Sequence, residues 1–179
     1  MSNTLTGTSL SGTSLTRKRV INDYYATPPE STLKLLDFED FKGDILEPCC
    51  GEGHISEVLK SRGHTVHSND IINRGYGETY KDFLNDDFEK VDNIITNPPY
   101  KYAKEFIEKA LETSNNKVAM FCKIQLLEGV SRYELFKNSP LKTVYVFTKR
   151  QNPLRNGNPV DENGKKWAST MCFAWFVFE

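Results

Sequence analysis

The chain has 179 residues, 38% of them hydrophobic and 26% charged, enough for one globular domain with a sizeable core and little room for a second. Its net charge is −1, so no global basic field marks a nucleic-acid binder, and any such surface has to be local. No apolar segment approaches the ~20 residues of a membrane helix, and the N-terminus lacks the hydrophobic core of a signal peptide, which predicts a soluble, cytoplasmic protein with no membrane partner.

Residues 1–16 are dominated by Ser, Thr and Gly and carry a short repeat, Gly7-Thr8-Ser9-Leu10 and Gly12-Thr13-Ser14-Leu15. Such a composition cannot bury enough apolar surface to order itself, so residues 1–20 are expected to form a flexible tail ahead of a single domain over 21–179. Arg17-Lys18-Arg19 within it is either a phosphate contact or a solvated charge cluster.

Beyond Tyr24, short apolar runs alternate with longer amphipathic ones. The pattern predicts helices over 29–36, 55–62, 103–113 and 127–137. Strands are predicted over 45–48, 65–69, 93–96, 117–123, 143–148 and 171–178, with a short piece near 79–80. Strands alternating with helices in one domain imply an α/β, Rossmann-like, mostly parallel sheet with helices on both faces. About twenty polar, Gly- and Pro-containing residues join the last two strands. No helix pattern fills them, so the final strand is expected to pair antiparallel with its predecessor as a C-terminal hairpin. The count of strands is seven.

Leu46-Glu47-Pro48-Cys49-Cys50-Gly51-Glu52-Gly53 runs from the first long strand into a helix. In an open α/β sheet this loop is where a nucleotide-like ligand lies, because glycines let the backbone approach it. Ser56 stands where a dinucleotide fingerprint has its third glycine, which disfavours a pyrophosphate cofactor, and Glu47 ahead of the loop suits a cationic amino acid moiety. Asp70, about twenty residues on, is placed to accept two ribose hydroxyls or to cap the segment after it. Asp82-Phe83 offers a carboxylate for an adenine amine with a ring beside it; Asp82 equally suits a helix cap.

Asn97-Pro98-Pro99-Tyr100 directly follows the apolar run 91–96, and it suits methylation of a planar exocyclic amine. Such an amine is a poor nucleophile because its lone pair is delocalised. Acceptors that hold both N–H hydrogens favour a pyramidal nitrogen and aim the lone pair, a task for Asn97 Oδ1 and the Pro98 carbonyl. Pro98 and Pro99 stiffen the turn. Tyr100 offers a face on which a flipped base can stack.

The four cysteines, Cys49, Cys50, Cys122 and Cys172, form no C-x-x-C pair and have no His at ligand spacing, so no metal site is expected. Adjacent Cys49 and Cys50 do not suit an ordinary disulfide, which leaves small buried thiols in a reducing compartment. His54, His64 and His67 lack a partner pattern and read as structural or exposed.

Tyr24-Tyr25-Ala26-Thr27-Pro28, the Glu47–Gly53 loop, Asp70, Asp82-Phe83 and Asn97-Pro98-Pro99-Tyr100 stand in an order that resembles the class I S-adenosylmethionine-dependent methyltransferases, and among them the small phage-type N6-adenine DNA methyltransferases. The similarity extends through Phe147-Thr148-Lys149-Arg150 and Ala174-Trp175-Phe176-Val177-Phe178. It implies S-adenosylmethionine as the methyl donor, held by Tyr25, Thr27, Glu47, Pro48, Cys49, Gly51, Gly53, Asp70, Asp82, Phe83 and Asn97, with Tyr25 and Thr27 at its methionine end. It implies DNA as the partner and adenine N6 as the acceptor, with Asn97, Pro98, Pro99 and Tyr100 catalytic. The chain has no stretch for a separate recognition domain. The connection 149–167, with Arg150, Arg155, Lys165, Lys166 and Trp167, is therefore the candidate nucleic-acid surface, or else a polar hairpin loop. Lys101, Tyr102 and Lys104 after the turn suit the backbone of an extruded nucleotide, and Lys123 and Gln125 either shape a target pocket or simply end a strand. The same tetrapeptide also serves methylation of guanine N2 in ribosomal RNA or of protein glutamine, and a non-catalytic binding module is a further alternative.

Overall fold

The computed structural model describes residues 24–166 and 171–179. The expected N-terminal tail, its basic cluster and Trp167 lie outside them. The described chain opens with β1 (Tyr25–Ala26) and α1 (Pro29–Leu36). Pro28 is extended at φ −56°, ψ 132° and Pro29 starts the helix, where a missing N–H has no intrahelical partner to lose. There follow β2 (Ile45–Glu47), α2 (His54–Ser61), β3 (Val66–Ser68), β4 (Val91–Thr96), α3 (Ala103–Thr113), β5 (Ser114–Lys123), α4 (Tyr133–Asn138), β6 (Leu141–Val146), β7 (Leu154–Arg155) and β8 (Phe173–Phe178).

Six strands form the main sheet in the order β3-β2-β4-β5-β8-β6. The first four are mutually parallel, and β8 lies antiparallel between β5 and β6. The C-terminal hairpin is therefore present, with its last strand inserted into the sheet. β8 is buried at all six positions, as a continuous apolar run covered on both faces must be. Neighbouring residues of one strand enter opposite cores. Ile94, Val118 and Phe176 pack with Phe106, Ile107 and Ala110 of α3 on one side. Ile95, Ala119 and Trp175 pack with Leu35 of α1 and Leu59 of α2 on the other. The Trp175 indole N–H, fully buried, donates to the Ser31 carbonyl at 2.8 Å and so fixes α1 to the sheet.

Three expectations are corrected. The seventh strand near 79–80 shrinks to an isolated parallel bridge between Asn69 and Thr79. The pairing stops after Thr79, because Lys81 N donates to the side chain of Asn69, Oδ1 at 2.9 Å, which also accepts the Thr79 hydroxyl at 2.7 Å. The helix over 127–137 is broken into two 3-10 turns, Ile124–Leu127 and Val130–Arg132, before α4. Gly129 at φ 108° interrupts it, and the Arg132 guanidinium takes the carbonyls of Gln125 and Glu128. Of the four free cysteines, Cys50 and Cys122 are buried as expected, Cys49 is half-buried and Cys172 is exposed. Outside the main sheet, β1 and β7 pair antiparallel, Tyr25 opposite Arg155 and Ala26 opposite Leu154. No expectation anticipated this pairing.

Candidate active site

β2, β3 and β4 end at the same edge of the sheet, where open α/β sheets bind ligands. The loop from β2 to α2 is held from several sides. Asp70, just past β3, accepts the Gly51 N–H at 2.8 Å through Oδ2. Its Oδ1 accepts Ile72 N–H at 2.8 Å and Arg74 Nη1 at 3.2 Å. The carboxylate expected for a ribose thus also closes the loop and caps its own turn. Gly51 sits at φ 56° and Gly53 at φ 86°. A Cβ at Gly51 would run into the Tyr24 ring, and one at Gly53 into the Tyr76 ring. Gly51→Ala is therefore expected to lose roughly 1–3 kcal/mol. Gly63→Ala, at a similar φ with open space beside it, meets only the backbone penalty, ~1 kcal/mol. Denaturation midpoints compare the two.

Tyr24 roofs the loop. Its hydroxyl accepts the Glu52 N–H at 3.0 Å, and the Arg74 guanidinium stacks 4.5 Å from its ring centre. Burial pushes the Tyr24 hydroxyl well above its ordinary range, so it stays a neutral phenol. Beneath the loop, Glu47 is 1% exposed. Its Oε2 accepts the Ser56 N–H at 2.8 Å and the Ser56 hydroxyl, which lies 2.8 Å from the Ser68 hydroxyl. Burial pushes the Glu47 carboxyl up to about 8 against these hydrogen bonds. Burial likewise raises the thiols of Cys49 and Cys50, the latter to about 12, so neither is a thiolate nucleophile near neutral pH.

Asn69, 1% exposed, ties β3 to the next corner by donating to the carbonyls of Pro48 and Lys81, at 3.2 and 3.0 Å. Asp82 comes next. Its carboxylate accepts Leu84 N–H at 3.0 Å and Asn85 Nδ2 at 2.7 Å, and the Asn85 hydrogen bond holds it below the usual carboxylate range. It caps this turn and borders the cavity at once. The Phe83 ring packs in the core against Phe88 and Phe106.

At the end of β4, Asn97 Nδ2 donates to the Tyr25 carbonyl at 2.8 Å and to Thr27 Oγ1 at 3.0 Å. A carbonyl accepts and cannot donate, so the amide nitrogen must face Tyr25, which fixes the assignment of the two amide atoms. Both Nδ2 hydrogens are thereby used. Oδ1 is left on the other side as an acceptor without a protein partner among the described residues. Pro98 is buried and Pro99 extended at φ −57°, ψ 118°. The Tyr100 ring is fixed by Tyr25 at 6.0 Å, Phe173 at 5.6 Å and the Lys123 ammonium at 4.7 Å.

These groups surround a cavity of about 450 Å³, within the range of small-molecule sites. Tyr25, Thr27, Glu47, Pro48, Cys49, Asp70, Asp82, Phe83, Asn97, Pro98, Pro99 and Tyr100 line it, and Gly51 and Gly53 do not. Tyr24, His54, Ile71, Arg74 and Tyr102 also line it and were not anticipated as site residues, apart from Tyr102 on the target side. His54 was read as structural or exposed; its Nδ1 is buried without a partner, and burial lowers the ring's pKa so that it is neutral near pH 7. The only signal in its favour was its place directly after the second glycine. Among the described residues no group of three His, Cys, Asp or Glu is placed to hold a metal ion, and no helix is long and apolar enough to cross a membrane.

The basic residues expected to meet nucleic acid, Lys101, Arg150, Arg155, Lys165 and Lys166, are not among those that line the cavity. Lys101, Arg150, Lys165 and Lys166 are exposed, and Arg155 is half-buried. A turn follows β7, in which Asn156 N–H donates to the Tyr24 carbonyl at 3.3 Å. A Cβ at Gly157 would meet the Glu52 carboxylate, so this turn lies directly on the loop after β2. Val160 and Lys166 then bridge antiparallel around a turn capped by Asp161. The connection is thus a strap against the site with its lysines at the outer end.

No family model and no curated protein sequence matches the chain. Solved structures do. A proposed RNA methyltransferase of Pyrococcus horikoshii aligns at 17% identity and TM-score 0.64, over 96% of this chain and 94% of its own. A modification subunit of a proposed type I restriction enzyme from Vibrio vulnificus aligns at 16% identity and TM-score 0.57, over 87% and 44%. A dimethyladenosine transferase of Plasmodium falciparum aligns at 16% identity and TM-score 0.55, over 86% and 62%. The chain therefore has the class I methyltransferase fold, with six strands in the main sheet among the described residues where seven are expected.

Proposed function

We propose that this protein transfers a methyl group from S-adenosylmethionine to the N6 amino group of adenine in DNA. The observation that carries the reading is the forced orientation of Asn97, whose two donors are committed to β1 and Thr27 and whose Oδ1 is left to accept. An acceptor held by two hydrogen bonds is pre-organised toward an amine hydrogen, and so the geometry costs little at the moment of reaction.

The cavity fits the donor. Glu47 and Asp70 border it at the ends of β2 and β3, Asp82 at the next corner, and His54 contributes a buried nitrogen without a partner. In this reading Asp70 meets the ribose and Asp82 the adenine amine. Glu47 and Tyr25 lie toward the methionine end. When bound, the donor supplies an already activated methyl group on a positively charged sulfur. Asn97 Oδ1 and the Pro98 carbonyl accept the two amine hydrogens, Tyr100 supports the ring, and the proton shed by the methylated nitrogen passes to solvent. Nothing in this scheme needs a metal or a strong base. Arg150, Arg155, Lys165 and Lys166 of the strap, with Lys101, would meet the phosphate backbone.

The nucleic-acid modifying enzymes among the structural neighbours support this class of acceptor. The likeness to the Pyrococcus protein, which extends over nearly the whole of both chains, favours RNA as the second reading. The experiment is a tritiated-methyl assay with unmethylated DNA, RNA and protein offered separately. Label in DNA, at adenine, is expected; label in RNA alone selects the second reading, and donor binding without label anywhere makes the chain a binding module.

A further inference from the structure

We infer that Thr27 is a positioning residue for the amide of Asn97, and that β1, held in place by β7, is the clamp that sets this amide's direction; the catalytic consequence rests on the function proposed above. The resemblance assigns Thr27 to the donor. The structure gives its hydroxyl oxygen another task, since it accepts Asn97 Nδ2 at 3.0 Å while being 2% exposed.

An asparagine side chain has a broad terminal torsion and two chemically different ends of similar shape. One hydrogen bond, to the Tyr25 carbonyl, rejects the flipped amide but leaves the torsion soft. The second, to Thr27 Oγ1, lies two residues further along the same segment. The pair of acceptors then spans both hydrogens of one nitrogen and fixes the plane as well as the sense. β1 is two residues long and, among the described residues, pairs only with β7. The Tyr24 carbonyl is engaged by Asn156 N–H beyond β7, so the strap that carries the basic residues is also what stations the two acceptors. This polar contact joins segments distant in sequence at a buried threonine, and it restrains the Asn97 amide.

The test pairs Thr27→Val, which keeps the shape and removes the acceptor, with Thr27→Ser, which keeps the acceptor. In wild type and Thr27→Ser the Asn97 side-chain amide hydrogens are expected to be protected from exchange by NMR, and in Thr27→Val one of them is expected to exchange rapidly. Single-turnover methyl transfer is expected to fall roughly 10- to 100-fold in Thr27→Val, with donor affinity by calorimetry changed by less than about threefold, and to recover in Thr27→Ser. Unchanged protection and unchanged transfer in Thr27→Val would overturn the positioning role, as would a loss of donor affinity as large as the loss of rate. The exchange readout does not depend on the reaction. If protection is lost in Thr27→Val but the rate of Asn97→Ala is normal, the clamp stands and the proposed function fails.

Discussion

Asn97→Ala is expected to slow methyl transfer by roughly a thousandfold while S-adenosylmethionine still binds. The side chain is half-buried at the cavity wall, so truncation removes an acceptor without opening the core. Two effects combine. The amine loses one of the groups that hold its hydrogens, and the Tyr25 carbonyl and Thr27 hydroxyl lose their shared donor. Asn97→Asp separates these effects from simple truncation. An aspartate retains acceptors but cannot donate to the Tyr25 carbonyl, so two oxygens face each other and the side chain must turn. It is expected to be nearly as slow as the alanine variant. A fast Asn97→Asp enzyme would show that an acceptor suffices and that its tether is irrelevant; a fast Asn97→Ala enzyme would remove Asn97 from the chemistry.

Glu47→Gln is expected to stabilise the donor-free protein at pH 8 and to flatten its stability between about pH 5 and 8. In the unfolded chain this carboxyl ionises near its ordinary value of 4.5; in the fold, burial holds the proton up to about 8. Below the lower value both states are protonated and stability is complete. Between the two values only the unfolded chain releases its proton. The folded state then binds more protons than the unfolded one, and stability falls by about 1.4 kcal/mol for each pH unit. Above about 8 the loss levels off. A glutamine oxygen can accept the Ser56 N–H and hydroxyl and carries no charge to desolvate. Urea denaturation at a series of pH values for both proteins checks this; a wild-type stability that stays flat from pH 5 to 8 and falls only below about 4.5 would show the carboxylate ionised and stabilised by Ser56. Binding of a cationic donor beside Glu47 favours the ionised form, so donor affinity is expected to rise with pH through the same window.

Much of the site is legible in the residues themselves. Asn97-Pro98-Pro99-Tyr100 could be placed at a strand end because an apolar run precedes it and two prolines cannot continue a ladder. Pro29 and the amphipathic spacing of Phe106, Ile107 and Ala110 place α1 and α3 at the bounds observed. What escaped were features that depend on distant partners. β1 and β7 are two-residue strands without periodicity, so their pairing, which gathers the acceptors for Asn97, leaves no local trace. The strand expected at 79–80 is cut short because nothing local reveals that the Asn69 side chain takes the Lys81 N–H. The apolar spacing over 127–137 predicts one helix, and Gly129, whose φ of 108° no other residue type adopts readily, breaks it. His54 and Arg74 differ from surface residues only through burial against the cavity.

The central claim concerns the acceptor atom, and it is tested most directly by incubating the protein with S-adenosylmethionine and unmethylated DNA, digesting the DNA to nucleosides and identifying the methylated product by mass spectrometry. N6-methyldeoxyadenosine is expected to accumulate in step with S-adenosylhomocysteine and to be absent with Asn97→Ala. Methylated deoxycytidine, or no methylated deoxynucleoside from a protein that binds the donor, would contradict the claim.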